Sequence, residues 1–275
     1  MPLTNSIDPS LVRDRAIYVF CALDTSFKLP EIEGLEGTSI FPISSENFQV
    51  AACGVDLEVW TGEDAEARLA DVKWLGPRAL RHELINERLM HQTTIFPLRF
   101  GALFSTVERV EQWLAANHDA MATYFDTVGG HEEWAVRGWL KQDTCRQTLA
   151  ERDPRNHDLP ISPGARYLQK KRLERDAVTQ VRGWVRTATQ KLADHLSQET
   201  VAMLQTPAGR VEAHNPADER SCVLNFACLL PRGQIRTLQS SLDPLLDSWE
   251  PFGLSLELNG PWPAYHFTPT LEAST

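Results

Sequence analysis

Apolar residues in this chain fall into two kinds of run. Some are short and continuous, and others recur every three to four positions, so strands and helices are predicted to interleave along its length. Residues 16–22 read as a first strand, followed by a loop over 28–42 that is rich in Pro and Gly and has no periodicity. Residues 48–55, a Val/Ala/Cys run without alternation, fit a strand covered on both faces. Helices are predicted over 64–74 and 77–93, with Pro77 suited to a first helical turn and Leu80, Leu84, Ile85, Leu89 and His91 forming the apolar stripe of the second.

Between residues 94 and 101 the period changes to two. Phe96, Leu98 and Phe100 share one face of a strand, and Ile95, Pro97 and Arg99 the other. A proline within a strand places it at an edge or a bulge. Helices over 105–117 and 119–128 and a strand over 133–141 complete this part. The order predicts an α+β fold in which residues 1–141 form a modified ferredoxin-like sandwich closed by that last strand.

Residues 142–162 turn polar and helix-breaking, most clearly at Asp153-Pro154-Arg155-Asn156-His157-Asp158-Leu159-Pro160, and read as a linker. Ser162-Pro163 then supplies a cap and a first-turn proline for a long helix. Its core side is predicted to carry Val178, Val181, Trp184, Val185, Ala188, Leu192 and Leu196. A strand over 221–230, a helix over 234–247 and a strand over 253–258 make residues 163–275 a second, smaller α+β domain with a long helix.

Composition narrows the functional classes. The 275 residues, 42% of them apolar, can bury a sizeable core. Residues 1–16 carry charges at Asp8, Arg13, Asp14 and Arg15 without an apolar run, so no signal peptide is expected. No stretch approaches the roughly 20 apolar residues of a membrane span, so a cytoplasmic protein with no membrane partner is expected. Cys21, Cys53, Cys145, Cys222 and Cys228 lack metal-ligand spacing and fit reduced, buried thiols. A net charge of −10 argues against a nucleic-acid partner. Against that acidic background Arg166, Lys170, Lys171 and Arg172 form a basic turn and a half, either a solvated helix face or a docking patch for an acidic protein partner.

The residues offer little for catalysis. His82, Glu83 and Arg99 could in principle serve as base, orienter and anion clamp. The stronger expectation is a structural ion pair between Glu83 and Arg99 that fixes helix against sheet. His131, His157, His195, His214 and His266 are dispersed without a metal-binding arrangement, and no G-x-S-x-G or phosphate-cradling glycine loop is present. No catalytic, metal or cofactor site is therefore expected. Near the end, Gly260-Pro261-Trp262-Pro263-Ala264-Tyr265 reads as a strand end and a stiff tail, whose Trp262 and Tyr265 either dock on the protein or line an apolar groove for a partner.

Several segments, taken in order, resemble the gas vesicle protein F/L family: Ile17-Tyr18-Val19-Phe20, Val72-Lys73-Trp74-Leu75, Arg81-His82-Glu83, Pro97-Leu98-Arg99-Phe100-Gly101, Glu133-Trp134-Ala135-Val136, Ser162-Pro163-Gly164-Ala165-Arg166-Tyr167-Leu168 and the terminal Gly-Pro-Trp-Pro. The chain departs from the family pattern where the first strand runs on into Cys21-Ala22-Leu23 and a glycine is expected, and at Asn259, where a threonine is. The resemblance implies a ferredoxin-like fold and a role in gas vesicle formation. In that role an accessory or minor structural protein, not an enzyme, binds the small apolar shell protein and other vesicle accessory proteins during nucleation and growth. A small-molecule enzyme or ligand-sensing protein, with His82, Glu83 and Arg99 lining a pocket, is the alternative from another class.

Overall fold

The computed structural model describes residues 15–156, 162–208 and 219–271. Residues 1–14 of the opening charged segment, residues 157–161 of the expected linker (His157 among them) and His214 lie outside the described residues. Two antiparallel sheets organise the rest. One unit runs to Gly130 and takes up the chain again from Pro263; the other is His131–Trp262.

In the first unit β1 (Arg15–Asp24) lies between β3 (Phe48–Asp56) and two short strands, β4 (Phe96–Pro97) and β5 (Leu103–Phe104), with β2 (Phe41–Ser45) outside β3. Residues 16–23 of β1 are all buried, which explains a strand that is apolar throughout instead of alternating. Three helices follow β3: α1 (Leu57–Thr61), α2 (Ala65–Ala70) and α3 (Val72–Met90). Asp56 caps α1 at the Val59 amide (3.1 Å) and Asp71 caps α3 at the Lys73 amide (2.9 Å). The cap at Asp71 starts α3 five residues before the expected position, so Pro77 lies inside the helix and not at its first turn. The unit continues with α4 (Val107–Ala116), capped by Thr106, and α5 (His118–Val128). Tyr18, Phe20, Leu23, Ile85 and Leu89 are among its core residues.

The second unit contains β6 (His131–Leu140), α6 (Gln142–Arg152), α7 (Pro163–Glu199), β7 (Ala202–Gln205), β8 (Ser221–Pro231), α8 (Ile235–Trp249) and β9 (Leu254–Trp262). Its sheet order is β7-β8-β6-β9. With helices between β6 and β7 and between β8 and β9, it has the βαββαβ element order of ferredoxin-like domains. The first sheet repeats the same relative order, β2-β3-β1-β4, but the loop over 25–40 stands where the first helix would be. Leu140, Leu192, Leu196, Leu224, Phe226 and Trp249 lie in the core of the second unit.

Three sequence expectations are corrected here. The strand over 133–141 does not close the first sheet, because β6 takes both its partners, β8 and β9, from the second. Residues 142–152 are helical, not linker: α6 packs Cys145 into the second core. The segment after Trp262 leaves the second unit and joins the first.

Candidate functional site

The polar cluster of the first unit is built on the inward face of α3, where His82, Ile85, Asn86, Leu89 and Met90 are buried. His82 Nε2 lies 3.0 Å from the Leu98 carbonyl oxygen. A carbonyl can only accept, so with this bond Nε2 carries the ring proton and Nδ1 accepts from the Tyr18 hydroxyl at 2.8 Å, and the Asn86 Nδ2 group 3.0 Å from Nε2 is a neighbour that does not donate to it. The Tyr18 hydroxyl in turn accepts the Gly101 amide at 3.2 Å. Phe20 stacks on the imidazole with centroids 5.6 Å apart, and the rings of Tyr18 and Phe100 approach it edge-on. Burial pushes the His82 pKa down to about 4, so the ring is neutral at neutral pH. With its proton committed to one backbone carbonyl and its lone pair to a buried phenol, this imidazole is placed as a clamp on strand, helix and turn, and has no lone pair to offer a substrate.

The expected Glu83–Arg99 ion pair is not formed. Regular pairing stops after Pro97, which has no amide proton, and the chain turns at Gly101 (φ +89°), leaving Arg99 exposed. Glu83 Oε1 instead accepts the Tyr265 hydroxyl at 3.0 Å. That hydroxyl also accepts from Asn86 Nδ2 at 2.9 Å, while Asn86 Oδ1 is buried without a hydrogen-bond partner. Desolvation raises the Glu83 pKa, and the hydrogen bond from Tyr265 works against that rise. Tyr265→Phe is therefore expected to destabilise the first unit by about 1–2 kcal/mol. It should also move the Glu83 titration to higher pH, read by NMR of a side-chain carboxyl label.

The basic residues singled out in the sequence share one helix. Arg166, Lys170, Lys171 and Arg172 are exposed in the first third of α7, and Lys171 pairs with Glu174 at 2.8 Å. Lys170 borders a cleft of about 540 Å³ between α6 and α7, with Arg146, Ala150, Glu151 and Leu173. A second groove of about 420 Å³ lies farther along α7; Val178, Val181 and Val185 line it with Leu140, Val223, Arg146 and Arg182. Arg146 gives no signal in the sequence because α6 carries few apolar residues, Cys145 and Leu149 chief among them, and so reads as linker; Arg182 lies on α7 outside the basic run 166–175. Trp262 closes β9 opposite Glu133 and is 48% exposed. Tyr265 belongs to the other unit, where its hydroxyl is already occupied. All five cysteines are free and buried; burial pushes Cys145 up to about 11 and Cys228 up to about 12, far from a reactive thiolate. Among the described residues no cluster of three or more His, Cys, Asp or Glu is placed to hold a metal ion.

Residues 16–269 match the family model described as gas vesicle synthesis protein GvpL/GvpF. The chain belongs to the GvpL/GvpF family. Gas vesicle protein L of Streptomyces sp. strain CB03234 is 29% identical over 210 residues, covering 73% of this chain and 72% of that protein. Gas vesicle protein L1 of Halobacterium salinarum is 21% identical over 272 residues, covering 92% and 90%. The crystal structure of GvpF from Anabaena sp. PCC7120 superposes with a TM-score of 0.65 at 16% identity, covering 94% of this chain and 98% of that one. GvpF from Microcystis aeruginosa gives 0.62 at 17% identity, covering 93% and 99%. At these identities the superpositions show a shared fold.

GvpL/GvpF membership gives the chain a role in gas vesicles. Three of the segments that carry the GvpL/GvpF resemblance meet at His82. Ile17–Phe20 brings Tyr18 and Phe20, Arg81–Glu83 brings the imidazole itself, and Pro97–Gly101 brings the Leu98 carbonyl and the Gly101 amide. The terminal Gly-Pro-Trp-Pro segment leads directly into Tyr265.

Proposed function

We propose that this protein is an accessory or minor structural component of gas vesicle formation, acting in the cytoplasm, that binds the small apolar shell protein while the vesicle is nucleated and grown. The observation that carries the reading is the family match across residues 16–269. A wall that holds gas must present an apolar face to it, and before assembly that face is an aggregation hazard in water. A carrier with a net charge of −10 resists joining such aggregates.

The enzyme or ligand-sensing alternative loses its geometric support. Both ring nitrogens of His82 are engaged, Glu83 is hydrogen-bonded to Tyr265, and neither cleft described above is lined by His82, Glu83 or Arg99. No helix among the described residues is long and apolar enough to cross a membrane.

Co-expression with the shell protein tests the reading. The soluble fraction of the shell protein is expected to rise several-fold, and the two proteins to co-purify. An unchanged soluble fraction with no co-purification overturns the shell-binding role. Retention in washed vesicles would mark this protein as a wall component, and its loss would mark an assembly chaperone.

A further inference from the structure

The apolar side of α7 is wider than its own unit covers. Ala177, Ala188 and Leu192 are buried, but the adjoining row of Val178, Val181 and Val185 opens into the 420 Å³ groove, with Val178 half exposed. These valines stand at i, i+3 and i+7, a strip about 10 Å long parallel to the helix axis. Leu140 at the end of β6 and Val223 near the start of β8 extend the apolar floor. Arg146 of α6 and Arg182 of α7 also line it.

Charge identifies what fits there. Residues 163–186 hold seven basic and two acidic side chains in a chain whose net charge is −10. Both acids are already paired within the chain, Glu174 with Lys171 and Asp176 with Arg155. Arg146 keeps one local partner, Asp143, while Arg182 has no ion pair among the described residues. The surplus positive charge calls for acidic groups from outside, placed beside apolar ones.

We propose that this groove is the docking site for an amphipathic helix of a partner protein, one with apolar residues at i, i+3 or i+4 and i+7 and with Asp or Glu flanking that stripe. A helix matches because the valine strip runs along a helix axis with the spacing that a second helix's ridge can fill. The apolar contacts bury the strip, and the flanking carboxylates pair with Arg146 and Arg182. The volume admits about two or three anchoring side chains, as expected of a groove that grips one face of a helix.

The test uses the full-length protein and a fluorescein-labelled 18-residue peptide, helical by design, with a Leu stripe flanked by Glu. A peptide of the same composition in scrambled order and one with Lys in place of Glu serve as controls. Anisotropy should show binding of the acidic amphipathic peptide alone. The affinity should fall at least tenfold in Val178→Asp and at least fivefold in Arg182→Glu, both surface changes, with circular dichroism unchanged, and it should weaken as salt is raised. Absence of binding overturns the proposal, as does equal binding of the scrambled peptide or indifference to both variants. If sedimentation shows a dimer that the same variants dissociate, the groove belongs to a second copy of this chain and the proposal fails. Because the probe is not the shell protein, these outcomes are independent of whether shell binding is found.

Discussion

His82→Ala is expected to cost the first unit about 3–5 kcal/mol, the range for removing a buried ring from a packed core. Two effects combine: the Tyr18 hydroxyl loses its acceptor in a site without water access, and the rings of Phe20 and Phe100 lose the surface they pack on. Native-state hydrogen exchange of the β1 amides reads the loss within this unit. The same variant isolates a pH effect. His82 titrates near 4 when folded and near 6.5 when unfolded, so between those values the unfolded chain binds the extra proton. Stability from this group is complete above pH 6.5 and disappears as pH falls through 4, a change of about 3 kcal/mol. The wild-type decline between pH 7 and 4 should exceed that of His82→Ala by about this amount. Parallel curves would show that the imidazole is not held neutral.

In the second unit a large effect is expected from the addition of a single methyl group, in Gly260→Ala. The register of β9 against β6 shifts between Ala135 and Glu133, and Gly260 lies in that irregularity with φ +153°. A methyl group there would stand 2.9 Å from the Glu133 carbonyl oxygen and 2.9 Å from the Trp134 ring, backbone and core that cannot yield as a flexible side chain would. A loss of about 2–4 kcal/mol follows from the clash and the unfavourable φ together, measured by exchange of the β6 and β9 amides. Gly183→Ala in α7 is the control. Nothing lies within 4 Å of its added carbon, so helix propensity should raise stability by about 0.5–1 kcal/mol. Equal effects at the two glycines would refute the packing argument.

Much of the architecture was legible because it is written locally. The buried run of β1, the Val/Ala/Cys run of β3, the paired helices α4 and α5 and the Ser162-Pro163 start of α7 all form where the residue pattern places them. The misses have specific causes. On α3 the buried positions 82, 85, 86, 89 and 90 keep the helical period, but two are His82 and Asn86, so apolarity alone favoured Leu80 and Leu84, which are exposed. Strands β2 and β7 lie at sheet edges and are short, the first holding Pro42, and so give no period-two signal. A strand's partners are not encoded in the strand, and β6 was therefore assigned to the wrong sheet. At the candidate site, His82 and Glu83 were visible as residues but not their partners, because Tyr265 lies 183 positions from His82.

That separation also sets an order of events during synthesis. The second unit is one continuous stretch of chain, whereas the first needs Tyr265 to close around Asn86 and Glu83. At about 5–20 residues per second a ribosome makes Tyr265 about 10–40 s after His82. Throughout that interval Asn86 and Glu83 lack the phenol that joins them in the finished unit. Because Tyr265 follows the end of the second unit at Trp262 by only three residues, the earlier-made unit cannot close until the later-made one has been synthesised in full.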